Sequence, residues 1–140
     1  MKKLLIFDLQ GTLVKSMRPP ILNGSPQTIK QLSKYFTLAI FTGASTTETN
    51  NILKKTRINL YFKTSNIITK GLFPKKPSPT AIFQLILQNN SPKTYYIGDT
   101  RKDYLAAQNA QIPFIYIGRQ KLGITQIRSL DELLNVKIKL

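Results

Sequence analysis

Apolar positions along the chain fall into short unbroken runs separated by polar, Gly- and Pro-rich punctuation. Leu4-Leu5-Ile6-Phe7, Thr37-Leu38-Ala39-Ile40-Phe41, Thr94-Tyr95-Tyr96-Ile97 and Pro113-Phe114-Ile115-Tyr116-Ile117 each predict a strand covered on both faces, because a half-exposed strand alternates apolar with polar. Asn66-Ile67-Ile68 predicts a briefer one. Between the runs the period lengthens. Ser25-Pro26 supplies a capping hydroxyl and a proline at the first helical position, and Ile29, Leu32 and Ser33 continue a helical stripe to about Lys34. Residues 46–56 predict a helix with Ile52 and Leu53 inward, and Leu60-Tyr61-Phe62 is expected to pack the connection after it. Another helix starts near Pro79, with Ile82, Phe83, Ile86 and Leu87 at core spacing, and ends at Asn89-Asn90-Ser91-Pro92. Residues 101–109 follow, with Ala106-Ala107 small enough for close packing. A last short helix, capped by Ser129, carries Asp131 and Glu132 in its first turn, where the helix dipole favours acids. Residues 13–24 contain Pro19-Pro20 and Asn23-Gly24 and predict a loop or short hairpin.

Strands alternating with helices predict an α/β fold with a doubly wound, three-layer parallel sheet. No repeat, low-complexity stretch or boundary interrupts the pattern, so residues 1–140 are expected to form one domain, long enough for a sizeable core. The longest apolar runs are strand-sized, which argues against a membrane partner. The first strand begins almost at once, without room for a signal peptide. With no Cys, the expected location is the cytoplasm or another reducing internal compartment.

Composition narrows the chemistry. Without Cys or His there is no disulfide, no thiolate nucleophile, no zinc site of the usual kind and no Ser-His-Asp triad. Carboxylate, hydroxyl, lysine and an oxygen-bound metal remain. Lys and Arg number 21 against 6 acids, a net charge of +15, and Glu occurs only at Glu48 and Glu132. Such a field attracts phosphates, so a polyanionic substrate or a nucleic-acid or ribonucleoprotein contact is expected. No basic run exceeds two residues, and no nucleic-acid-binding motif is present.

Three of the predicted strands end in polar residues, at Asp8, Thr42 and Asp99, and Lys76 is expected to open a helix. The carboxyl ends of parallel strands share one edge, where open α/β sheets bind ligands, so all four side chains can converge there. Asp103 adds a third acid. Each residue also has a plainer reading: Asp8 as a turn cap, Thr42 as a turn hydroxyl, Lys76 as one of many lysines, Asp103 as a helix-surface charge.

Together the segments resemble the haloacid dehalogenase superfamily, most of whose members are phosphatases. Asp8-Leu9-Gln10-Gly11-Thr12-Leu13 is similar to its first motif, Asp-x-Asp-Gly-Thr-Leu, and Thr42-Gly43 to the second. Lys76-Pro77-Ser78-Pro79 is similar to the third, and Gly98-Asp99-Thr100-Arg101-Lys102-Asp103 to the fourth. The resemblance implies that Asp8 takes a phosphoryl group as an aspartyl-phosphate. It implies Mg2+ held by Asp8, Asp99, the backbone carbonyl of Gln10, and Asp103 in the ligand shell or orienting it. Thr42 and the Gly43 amide would bind the phosphoryl oxygens, and Lys76 would neutralise charge and hold Asp8.

The sequence departs from the family at Gln10, which stands where the family has its general acid/base aspartate. Glutamine donates and accepts hydrogen bonds but does not shuttle protons at neutral pH. Turnover is therefore expected to be slow or specialised, and leaving groups that need no proton should suffer least. Residues 13–41 and 43–75 are too short for the family's inserted cap domains, so an open site, a large phosphorylated substrate or a homo-oligomer is expected. The alternative is a catalytically impaired member that binds RNA, ribonucleoprotein or protein through its basic surface.

Overall fold

The computed structural model describes residues 1–136 and 140. At its middle lies β1 (Lys3–Phe7), whose Leu4, Leu5, Ile6 and Phe7 are all fully buried. Strand geometry sends Leu5 and Phe7 to one face and Leu4 and Ile6 to the other, so both faces need cover. β1 pairs in parallel with β4 (Phe36–Phe41) on one flank and with β6 (Thr94–Gly98) on the other. β5 (Ile67–Ile68) extends the sheet beyond β4, and β7 (Phe114–Ile117) and β8 (Gln126–Ile127) extend it beyond β6. The order is β5-β4-β1-β6-β7-β8, parallel at every pairing. β2 (Val14–Met17) and β3 (Pro20–Leu22) form the hairpin expected between residues 13 and 24.

Helices α1 (Pro26–Tyr35), α2 (Thr46–Lys55) and α5 (Asp131–Val136) cover the face that holds Leu5, Phe7 and Leu38. Helices α3 (Thr80–Asn89) and α4 (Arg101–Asn109) cover the face of Leu4, Ile6 and Tyr96. The three-layer parallel fold expected from the sequence is the one observed. The chain winds from β1 out to β5, then returns across β1 to β6. The reversal opens a crevice at the carboxyl ends of β1, β4 and β6. Among the described residues, no helix is long and apolar enough to cross a membrane.

Local expectations held where caps and unbroken runs decided them. Ser25 caps α1, its hydroxyl accepting from the Thr28 amide at 3.3 Å. Others need correction. α3 is apolar nearly all round, and the stripe facing the sheet is Ala81, Ile82 and Leu85, while Phe83 and Leu87 are 50% and 78% exposed. Two overlapping stripes competed, and the side carrying small Ala81 is the one seated on β1 and β4. Phe62 is buried as expected, but Leu60 points out on the 3₁₀ turn Asn59–Tyr61. The two-residue strand β8 was not anticipated. α5 begins at Asp131, and its Asp131 carboxylate turns back to accept from the Ser25 amide at 3.3 Å and from the Thr28 hydroxyl, tying the helix to α1.

Candidate active site

β1 delivers Asp8 to the crevice, its amide continuing the ladder to the Ile97 carbonyl at 3.1 Å. The carboxylate is largely buried, with 13% of the side chain exposed. Its Oδ1 accepts from the Leu9 amide at 2.8 Å and from Lys76 Nζ at 3.0 Å. Its Oδ2 accepts no hydrogen bond from the described residues. Lys76 lies in the loop four positions before α3 starts rather than opening that helix. Its ammonium reaches Asp103 Oδ1 at 2.8 Å as well as Asp8, and lies over the rings of Phe41 and Tyr96.

Asp103 is fully buried on the first turn of α4 and accepts five hydrogen bonds. Lys76 and the Tyr96 hydroxyl (2.9 Å) serve Oδ1; the Asp99 and Thr100 amides and the Thr100 hydroxyl serve Oδ2. It thereby closes a capping box with Thr100. With five donors on it, its position is that of an anchor for Lys76 and for the β6–α4 turn. Gly98 permits this: a Cβ there would stand 2.6 Å from Asp103 Cβ.

Asp99 leaves the end of β6, half-buried, held by Thr12 Oγ1 at 3.2 Å. It lies over Gly11, whose φ of +79° suits glycine and whose missing Cβ would fall 2.1 Å from Asp99 Oδ2. One carboxylate oxygen from each of Asp8, Asp99 and Asp103 lies within 4.8 Å of the others. Thr42 is buried at the end of β4; its hydroxyl accepts from the Ala44 amide at 3.1 Å, while Gly43 lines the cleft and its amide has no hydrogen-bond partner among the described residues. Gln10 is exposed at the cleft wall and its side chain makes no hydrogen bond to the described residues.

The electrostatics follow from burial. Loss of water pushes the Asp8 carboxyl up to about 7, Asp103 adding to the rise and the Lys76 ammonium opposing it. Asp99 is raised by burial and then by Asp103. In Asp103 burial acts upward too, but the Lys76 charge and hydrogen bonds from Lys76, Thr100 and Tyr96 outweigh it and hold the group below the usual carboxylate range. Burial and Asp103 push the Tyr96 hydroxyl well above its ordinary value, so it stays a donor. The single ammonium is thus shared among clustered carboxylates, and Asp8 and Asp99 remain short of positive charge.

The cleft measures about 950 Å³ and brings together Asp8, Gln10, Thr42, Gly43, Lys76 and Asp99, six of the seven residues singled out from the sequence. Asp103 lies beneath it. Sequence reasoning assigned no role to Thr12, Gly11, Gly98 or Tyr96. A hydroxyl inside a buried strand was the available signal for Tyr96, since such a group needs a partner. Lys70, Lys75 and Lys102 also line the cleft. Lys15 is exposed and outside it, and Arg18, 85% exposed, pairs with Glu48 at 2.7 Å.

The same arrangement of sheet and loops recurs in solved structures. A haloacid dehalogenase-superfamily hydrolase from Geobacter sulfurreducens superposes with a TM-score of 0.81 at 15% identity, over 96% of each chain. The D,D-heptose 1.7-bisphosphate phosphatase from B. bronchiseptica, complexed with magnesium and phosphate, gives 0.75 at 19% identity over 98% of each chain. The core domain of a candidate phosphoglycolate phosphatase from Streptococcus pneumoniae gives 0.74 at 27% identity, over 100% of this chain and 98% of that one. No curated protein matches the sequence. The family model described as haloacid dehalogenase-like hydrolase matches residues 18–117, a span holding Thr42, Lys76, Asp99 and Asp103 and starting after Asp8. Sheet order, site placement and that match converge: this chain belongs to the haloacid dehalogenase-like hydrolase family.

Proposed function

We propose that the chain is a Mg2+-dependent phosphomonoesterase that attacks phosphorus with Asp8 and turns over slowly because residue 10 is Gln. The observation that carries this is Asp8 itself, oriented through Oδ1 by Lys76 and the Leu9 amide while Oδ2 remains uncommitted at the cleft. The donor set suits Mg2+. Only oxygen ligands are on offer among the clustered acids, one ammonium is shared by the carboxylates of Asp8 and Asp103 and leaves Asp99 without an ion-pair partner among the described residues, and Gly11 lets the Asp99 carboxylate sit where a Cβ would stand. Asp8, Asp99 and the Gln10 carbonyl would hold the ion, with Asp103 behind them as the group that orients Asp99 and Lys76. The metal's contribution, when bound, is to neutralise charge as anion approaches anion. Gly43 and Thr42 would receive the phosphoryl oxygens, and Lys76 would balance the charge that builds on them.

Between β1 and β4 lie only the β2–β3 hairpin and α1, and between β4 and Lys76 only α2, two short 3₁₀ turns and β5. We read the site as capless and open, suited to a large or polyanionic phosphorylated substrate. The test is phosphate release from an aryl phosphate with Mg2+. Asp8→Asn should abolish it, and Gln10→Asp should raise it by about 10²–10⁴-fold, the usual worth of general acid–base catalysis. An inert parent and an inert Gln10→Asp variant, together with tight salt-sensitive RNA binding, would favour the binding-module alternative.

A further inference from the structure

We infer that the phosphoryl group removed at this site stands at the end of a single-stranded nucleic acid, whose bases pack on Phe73 and Met17 and whose following phosphates run along the cations of the sheet edge. The inference rests on the phosphomonoesterase reading above and names its substrate class. Charge makes the first selection. Around the nucleophile, the carboxylates of Asp8, Asp99 and Asp103 are matched by Lys76 and the divalent cation that the donor set suits. Glu48 is matched by Arg18 at 2.7 Å. Lys70, Lys75 and Lys102 also line the cleft, all exposed, and none has an ion-pair partner among the described residues. A phosphomonoester dianion offsets two of those three charges, and the positive charge does not stop there. In a parallel sheet, whatever follows each strand lies on the side of Asp8. Lys70 follows β5, Arg101 and Lys102 open α4 after β6, Arg119 and Lys121 follow β7, and Arg128 follows β8. With neighbouring strands about 4.8 Å apart, the row from β5 to β8 is about 24 Å across. Only repeated negative charge matches a row of that length, and a sugar bisphosphate is too short for it.

Shape makes the second selection. Met17 packs on the layer of α1 and Phe73 on the layer of α3, so apolar side chains reach the cleft from both sides of the sheet. Phe73 is half-buried and lies between Lys70 and Lys75 in the chain. An aromatic ring among cations is the arrangement on which unpaired bases stack while their phosphates are held. Inorganic polyphosphate has the charge but nothing to lay on Phe73, an acidic phosphopeptide lacks a flat apolar face at each unit, and a duplex keeps its bases stacked inside. A single strand offers both charge and face at every unit. In the reaction the bond between phosphorus and the terminal sugar oxygen breaks, that oxygen ends as a hydroxyl, and the oxygen of one water ends on phosphorus. Turnover stays slow because residue 10 is Gln, and the strand contacts act on KM.

The test measures phosphate release by the full chain with Mg2+ from oligothymidylates of one to eight nucleotides, phosphorylated at the 5′ or at the 3′ end, beside an aryl phosphate and a phosphoserine peptide. For one of the two ends, kcat/KM should rise by about 5- to 150-fold from mononucleotide to tetranucleotide, the worth of one stacked base, and Phe73→Leu should remove most of that rise. Fluorescence anisotropy of a labelled strand on Asp8→Asn reads binding apart from the chemical step. The logarithm of the binding constant should fall with log salt at a slope of about −0.7 for each phosphate held, so Lys70→Gln with Lys102→Gln should make the slope shallower by about 1.4. Lys34→Gln with Lys63→Gln, the same change of net charge on the opposite edge of the sheet, should leave it unchanged. Hydrolysis of the aryl phosphate with no preference for longer strands at either end would overturn the inference and leave the phosphatase reading standing. Faster release from the phosphopeptide, equal competition by polyphosphate, or equal slope changes in the two double variants would overturn it in the same way. No release from any substrate, by the parent or by Gln10→Asp, would overturn both.

Discussion

Lys76 is the position where one substitution should cost most for a stated reason. Its side chain is 12% exposed, and its ammonium touches Asp8 at 3.0 Å and fully buried Asp103 at 2.8 Å. Lys76→Met keeps the apolar stem over Phe41 and Tyr96 and removes only the charge. Removing one partner of a buried ion pair costs about 3–5 kcal/mol, because an uncompensated charge remains. At an m-value of about 2 kcal/mol/M, the urea midpoint should fall by about 2 M. Far-UV circular dichroism is the appropriate signal, since the chain has no Trp. The deficit should depend on pH. In the parent, Lys76 holds Asp103 below the usual carboxylate range; that stabilisation is present above about pH 3.8 and is lost as pH falls through the lowered value. In Lys76→Met, burial of Asp103 is opposed only by its remaining hydrogen bonds, those from Thr100 and Tyr96 among them, so the group rises relative to the parent, acid relieves the variant, and the deficit shrinks as pH falls. Adding Asp103→Asn should restore part of the loss, since the Asn amide can donate to the Tyr96 hydroxyl oxygen. The coupling energy should be about 1–3 kcal/mol. A deficit below about 1 kcal/mol that ignores pH, with additive substitutions, would show the pair behaving as a surface salt bridge and refute the reasoning.

Further predictions concern the cleft and the α1–α5 tie. In the metal-free protein Asp8 sits near 7, a raised value whose stabilising effect is complete below about pH 3.8 and lost as pH rises through 7. Mg2+ favours the charged form, so its increment in Tm should grow between about pH 6 and pH 8; a flat profile would contradict the assignment. Gly11→Ala combines left-handed backbone with a collision at Asp99, and should cost about 1–3 kcal/mol and weaken Mg2+ binding measured by calorimetry. An unchanged affinity would separate Asp99 from the metal. Asp131→Ala removes the acceptor for Ser25 and Thr28 and should lower stability by about 1 kcal/mol while leaving phosphoryl transfer at Asp8 unchanged. Denaturant titration and phosphate release from an aryl phosphate check the two halves.

The sequence by itself determined the parallel layered fold, because four apolar runs too long to be half-exposed leave no other way to cover both faces. It determined the edge at which Asp8, Thr42 and Asp99 meet, since strand direction alone puts them there. It also determined that residue 10 does not shuttle a proton at neutral pH, a matter of composition that no folding alters. Tertiary structure decided the rest. Which stripe of α3 turns inward depended on how closely a helix can approach the sheet, and small Ala81 won over Phe83. Asp103 reads as a helix-surface acid until Tyr96, Thr100 and Lys76 close around it, partners that lie on β6, on the turn after it and in a distant loop. Gly98 and Gly11 have no visible purpose until the carboxylates of Asp103 and Asp99 occupy the space a Cβ would fill. Asp8 kept the place its strand assigned, but only the assembled site shows one of its oxygens committed to Lys76 and the other free, because that division depends on a lysine far along the chain.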